Sequence, residues 1–222
     1  MQAFLDFVQA HKQHFDAAHA ASSVVSLVGW FLGAILVFVA WRRNAIRHVT
    51  LGPFGFQMQE AVEAATIAAR AWRAHAPNQK VDLDQIRLTV RRAFAPEVAD
   101  HLIGKSVLWV DDNPGNNELA VRALTKLRLN VEQVTSTEAA LESMQHRYFD
   151  LVISDMGRGT NMRAGYDLLK AIRVSGNNVP FLIFAGSDTA EFRREAAAQG
   201  AQLSTNDMLE LIQQVIAHLD DE

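Results

Sequence analysis

Two apolar runs that end in carboxylates constrain this chain more than anything else in it. Val107-Leu-Trp-Val110 runs into Asp111-Asp112, and Leu151-Val-Ile-Ser154 runs into Asp155. Four or five apolar residues bounded by polar turn signals read as a strand buried on both faces of a parallel sheet. In open α/β sheets, ligands bind just outside the carboxyl ends of the strands. Two such ends would bring Asp111, Asp112 and Asp155 to one edge. Three carboxylates repel one another unless a hard cation sits among them, and Mg²⁺ favours a few carboxylates together with phosphate oxygens. The spacing therefore predicts an acidic pocket suited to metal-assisted phosphoryl chemistry.

The same alternation continues along the second half of the chain. Strands are expected near 106–110, 131–134, 151–154, 181–184 and 201–203. Helices are expected near 116–128, 137–146, 165–174, 189–199 and 207–218. Strand and helix alternating five times imply a parallel sheet with helices on both faces.

From about Ser106 onward the sequence resembles the receiver domain of two-component response regulators. The residues that carry the resemblance are ordered. An acidic pair follows the first strand, Pro114 follows the pair, and Asp155 stands 43 residues past Asp112. Gly165-Tyr-Asp-Leu-Leu169 opens a third helix, Pro180 precedes a fourth strand, and Gly200-Ala201 precedes a fifth. The resemblance implies a five-stranded doubly wound α/β sheet of order 2-1-3-4-5, the flavodoxin-like fold. It implies Asp155 as phosphoacceptor, with Mg²⁺ held by Asp112 directly, by Asp111 through water, by Asp155, and by the backbone carbonyl of Gly157. It further implies a bacterial phosphorelay, with a histidine kinase or phosphotransfer protein as donor and output by protein–protein contact. Such a chain is a signalling module and not an enzyme.

Two positions depart from the family. A Thr or Ser is expected 30 residues past the acceptor, where this chain has Ala185. A Lys is expected after the fifth strand, where it reads Leu203-Ser-Thr-Asn-Asp207, and no Lys follows Lys170. Ser187, Ser204 or Thr205 are candidates for the hydroxyl. Arg158 or Arg163 are candidates for the charge, although arginines in a polar loop ordinarily face solvent. The alternative is a pseudo-receiver, a binding module that turns over no phosphate. A haloacid dehalogenase-type phosphatase needs an Asp-x-Asp pair, and Asp155-Met-Gly157 lacks the second Asp.

The first half reads differently. From Ala17 to Trp41 there is no Asp, Glu, Lys or Arg, and the 18 residues from Val24 to Trp41 are the densest part. As a helix they reach about 27 Å, near the thickness of a bilayer core. Arg42, Arg43 and Arg47 follow at once. Basic residues on the cytoplasmic side orient such a span. The expectation is a single-pass inner-membrane protein with residues 1–22 outside, a transmembrane helix over 23–41, and the remainder in the cytoplasm. Gly29 and Gly33 form a Gly-xxx-Gly pair that allows a homodimer.

Residues 42–104 are expected to form a juxtamembrane and helical connector ahead of the receiver-like domain at 105–222. Leu51-Gly-Pro-Phe-Gly-Phe56 punctuates it as a turn or short strand. Gln57 to His75 has helical periodicity, Asp82 or Asp84 caps a second helix through Phe94, and Pro96 starts a third ending at Gly104. A dimerising or docking module and a spacer packed on the receiver both stay open. Residues 1–105 carry 11 Lys/Arg against 8 Asp/Glu, and residues 106–222 carry 10 against 17. The acidic half argues against nucleic-acid binding there. The chain has no cysteine, so thiolate metal sites and disulfides are excluded.

Overall fold

The computed structural model describes residues 53–186 and 188–220. These described residues belong to one compact unit. Three helices come first: α1 (Pro53–Trp72), α2 (Leu83–Ala93) and α3 (Pro96–Leu102). Strand and helix then alternate: β1 (Ser106–Val110), α4 (Glu118–Lys126), β2 (Asn130–Val134), α5 (Thr137–His146), β3 (Leu151–Ser154), α6 (Ala164–Val174), β4 (Phe181–Phe184), α7 (Ala190–Gln199), β5 (Leu203–Thr205) and α8 (Met208–Asp220). A single 3₁₀ turn, Pro114–Asn117, leads into α4. All strand pairs are parallel, in the order β2-β1-β3-β4-β5. The expected sheet and its order are thus present.

Alternation along each strand divides the core in two, because successive side chains leave opposite faces. Val107, Trp109, Ile153 and Phe184 point to the face covered by α4 and α8. Leu108, Val110, Val152 and Ile183 point to the face that includes Leu168, Leu169 and Ile172 of α6. Trp109 is 1% exposed, and a side chain of that size contributes on the order of 3 kcal/mol by burial.

Local chemistry explains where the helices start and stop. Asp82 accepts hydrogen bonds from the amides of Asp84 and Gln85, both 3.0 Å, and so caps α2. Ser136 and Thr189 cap α5 and α7 in the same way. Gly200, at φ 93°, ends α7 in the left-handed region. The Ala201 amide turns back to the Ala196 carbonyl at 2.9 Å. That closure uses Ala201, where the fifth strand is expected to start, so β5 begins at Leu203 and not at 201. A second difference lies at Pro53. Pro53 and Gly55 belong to α1 and do not interrupt it.

The helices before the sheet share its core. Ala61, Ala64, Ala65 and Ala68 form a small-residue face on α1, buried where α1 packs on α4 and α8. Lys126 on α4 reaches Glu60 on α1 at 2.6 Å. At the end of α1, Trp72 lies against Phe184 of β4, with ring centroids 4.3 Å apart. Phe184 in turn meets Trp109 of β1 edge-on at 6.0 Å. Three aromatic rings therefore run from α1 into the centre of the sheet.

One expectation is corrected. The membrane-spanning helix over 23–41, the segment 1–22 before it and the Gly29–Gly33 pair lie outside the described residues. Among the described residues no helix is long and apolar enough to cross a membrane. The longest, α1, carries Glu60, Glu63 and Arg70 and buries its alanine face in protein. The inner-membrane, single-pass placement is withdrawn on that finding.

Candidate metal centre

Strand ends build the site. Val110 of β1 and Ser154 of β3 are register partners, so the next residues, Asp111 and Asp155, emerge side by side. Both backbones continue the ladder. The Asp111 amide donates to Val134 O at 3.0 Å, and the Asp155 amide donates to Val110 O at 2.9 Å. Asp112 follows on the solvent side. One carboxylate oxygen from each of Asp111, Asp112 and Asp155 lies within 4.8 Å of the others. Mg²⁺ binds oxygen at about 2.1 Å, so ligands across one ion stand about 4.2 Å apart. The three carboxylates fit a shared divalent ion once one contact runs through water, and hard oxygen donors are the chemistry such an ion takes.

Each carboxylate is held differently. Asp111 Oδ1 accepts from the Asn113 amide at 2.7 Å, and Asp111 Oδ2 accepts from Asn117 Nδ2 at 2.6 Å. Asn117 is 1% exposed, and its own Oδ1 has no hydrogen-bond partner. Asp112 Oδ2 accepts from the Gly159 amide at 2.7 Å, which ties the β1 end to the loop after β3. Asp155 is partly buried next to two like charges. Desolvation first, and the Asp111 carboxylate second, push its pKa up to about 6 from 3.8. Asp155 therefore holds its proton to a higher pH than an ordinary carboxyl group.

The loop from Asp155 to Ala164 closes on itself. Arg158 and Asn161 pair as an antiparallel bridge, and Gly157 stands at its entrance. Gly165 has a steric reason to be glycine. A Cβ there would lie 2.8 Å from the Asp155 carbonyl oxygen and 3.2 Å from Met156 Cα. A side chain at this position would push the Asp155 turn out of place.

The two loop arginines part company. Arg163 is exposed and pairs with Glu195. Arg158 is 8% exposed and spends its guanidinium on neutral oxygens. Its Nη1 donates to Ser154 Oγ at 2.7 Å and to Asp155 O at 3.0 Å. Its Nη2 donates to Thr137 Oγ1 at 3.0 Å and to Ala164 O at 2.7 Å. Nothing in the sequence distinguishes it from a solvated loop residue.

Ser204 and Thr205, the hydroxyl candidates on β5, are buried in the strand, and Thr205 is committed elsewhere: its Oγ1 donates to Glu210 while accepting from the Asp207 amide at 3.0 Å. Ser187 lies outside the described residues. Ala185 follows β4, its amide bonded to Thr205 O at 3.1 Å. Asn206, the residue after β5, is held by the helical extension. Trp72 Nε1 donates to its carbonyl at 2.7 Å, and Gln79 Nε2 donates to its side-chain oxygen at 2.8 Å.

Comparison with known proteins places this geometry. Residues 107–206 match the family described as the response regulator receiver domain. Over 98 residues, 44% of this chain, the sequence is 29% identical to the sensor protein EvgS of Escherichia coli, and the match spans 8% of that protein's length. Among solved structures, the chain is similar to the chemotaxis response regulator CheY4 of Vibrio cholerae, at 23% identity and a TM-score of 0.46 over 52% of this chain and 98% of that one. It is also similar to the response regulator TrrA of Thermotoga maritima in complex with Mg²⁺-BeF, at 21% identity and a TM-score of 0.45 over 51% of this chain and 98% of that one. The receiver-domain match begins in β1 and ends just past β5, so it spans the whole sheet of order 2-1-3-4-5.

Proposed function

We propose that this domain accepts a phosphoryl group on Asp155 in a phosphorelay, with Mg²⁺ held by Asp111, Asp112, Asp155 and the carbonyl of Gly157. The observation that carries the reading is the convergence of three strand-end carboxylates within 4.8 Å. Bound Mg²⁺ supplies positive charge that neutralises the phosphoryl oxygens during transfer. The chain's own residues do the rest. An ionised Asp155 oxygen attacks phosphorus, the bond from phosphorus to the donor's leaving atom breaks, and that leaving atom takes a proton. Asn113 and Asn117 hold Asp111 so that it does not turn toward solvent. The Gly159 amide fixes Asp112. Glycine at 165 leaves room for the acceptor turn.

A histidine kinase or phosphotransfer protein is the donor that suits this acceptor, and output runs through protein–protein contact. Ala185 stands where the family resemblance expects a hydroxyl, and the Leu203–Asp207 segment has no lysine, so on this reading the response does not run through that pair. Asn206 is instead bonded to Trp72 and Gln79. The extension over residues 53–102 is therefore the part of the chain placed to respond to a change at the end of β5.

The full chain with Mg²⁺ and beryllofluoride, observed by fluorine NMR, tests the reading. A bound beryllofluoride resonance that is lost in Asp155→Asn supports it. No bound resonance at saturating Mg²⁺ refutes it and leaves a pseudo-receiver.

A further inference from the structure

We propose that Arg158 is the fixed cation of the acceptor site, a positioning residue that holds the Asp155 turn and sets one positive charge beside the carboxylates. This rests on the phosphoacceptor reading of Asp155. Three observations lead to it. First, a guanidinium buried to 8% exposure is costly unless hydrogen-bonded and near opposite charge. Arg158 has four hydrogen bonds, all to neutral oxygens, and none to a carboxylate. Its compensating charges are Asp155, Asp111, Asp112 and Glu138, each of which acts on it electrostatically.

Second, the contacts of Arg158 tie together the parts of the site. Ser154 and Asp155 belong to the end of β3, Thr137 to the start of α5, and Ala164 to the start of α6. The next residue, Gly159, binds Asp112. The planar fork of arginine makes four such bonds at fixed angles, which the single ammonium of lysine does not.

Third, no Lys or Arg occurs from Glu195 to Glu222, so the end of β5 offers no cation. A phosphoryl group on Asp155 adds anionic oxygens to a pocket that already has three carboxylates. Arg158 is the buried cation coupled to all three of them.

The sign of the charge effect separates this role from simple loop support. A cation near the carboxylates repels Mg²⁺ and attracts an anion. In the full chain, Arg158→Met is expected to bind Mg²⁺ alone about three- to tenfold more tightly, by calorimetry, because a repulsive charge is gone. At saturating Mg²⁺ the same variant is expected to bind beryllofluoride at least tenfold more weakly. Arg158→Lys keeps the charge, so its Mg²⁺ affinity is expected to stay within about twofold of the parent. Should Arg158→Met fail to fold, Thr137→Val, which removes one partner and no charge, serves in its place. It is expected to weaken beryllofluoride binding and leave Mg²⁺ affinity unchanged. Weaker Mg²⁺ binding in Arg158→Met, or unchanged binding of both probes, overturns the proposal. The Mg²⁺ measurement reads the charge of Arg158 whether or not an adduct forms. A parent chain that binds Mg²⁺ but no beryllofluoride refutes the acceptor reading and leaves the charge of Arg158 to be judged by Mg²⁺ alone.

Discussion

Asp111 and Asp155 leave neighbouring parallel strands at the same level, one residue past the paired Val110 and Ser154. Their side-by-side exit is what charges the pocket. Like charge and burial together raise Asp155 to about 6. The folded chain therefore holds a proton on Asp155 at pH values where the unfolded chain has lost it. Stability from this proton is present below the ordinary carboxylate range and is lost as pH rises through about 6. In the absence of metal, Asp155→Asn is expected to be more stable than the parent by about 1–2 kcal/mol at pH 8 and equal to it near pH 4. Urea unfolding with a chelator at the two pH values checks this. An equal difference at both would contradict it.

On the proposed reading Mg²⁺ and a proton compete for the Asp155 carboxylate. Apparent Mg²⁺ affinity is expected to rise with pH up to about 6 and to level off above it. Asp112→Ala is expected to lower affinity at least tenfold at pH 8, since it removes one of three carboxylates. Calorimetric titrations across this pH range decide the matter. A flat pH profile would show that Asp155 takes no part.

Gly165 is a steric gate on the Asp155 turn. With a Cβ only 2.8 Å from the Asp155 carbonyl, Gly165→Ala forces backbone apart and is expected to cost about 1–3 kcal/mol. Beryllofluoride binding should weaken in the same variant at temperatures where it is fully folded. Unchanged binding in a folded Gly165→Ala protein would show that the turn has slack.

Trp72 joins the helical extension to the sheet. It packs on Phe184 at 4.3 Å and donates to Asn206 O at 2.7 Å. Trp72→Ala is expected to destabilise the whole 53–220 unit by about 2–4 kcal/mol in a single transition. A separate early transition for the extension, with the sheet unaffected, would show that the two fold independently.

The sheet was legible because buried parallel strands leave uninterrupted apolar runs, and Val107–Val110 and Leu151–Ser154 are such runs. Asp111, Asp112 and Asp155 were legible for the same reason, since each follows a strand end. The start of β5 was not, because Gly200 and Ala201 are used in closing α7 before the strand begins. The role of Trp72 was hidden as well. Periodicity gives α1 an apolar face but does not say that its last aromatic lands on Phe184. Arg158 reads as solvent-exposed in a polar loop, and only the packing of Ser154, Thr137 and Ala164 around it reveals its burial.

The central claim is that Asp155 takes a phosphoryl group. Intact-mass spectrometry of the full chain, after incubation with Mg²⁺ and a small phosphodonor, reads it directly. One added phosphoryl group is expected, labile to hydroxylamine as an acyl phosphate is, and absent from Asp155→Asn and from samples with a chelator. An unmodified parent chain, or the same modification in Asp155→Asn, would contradict the account.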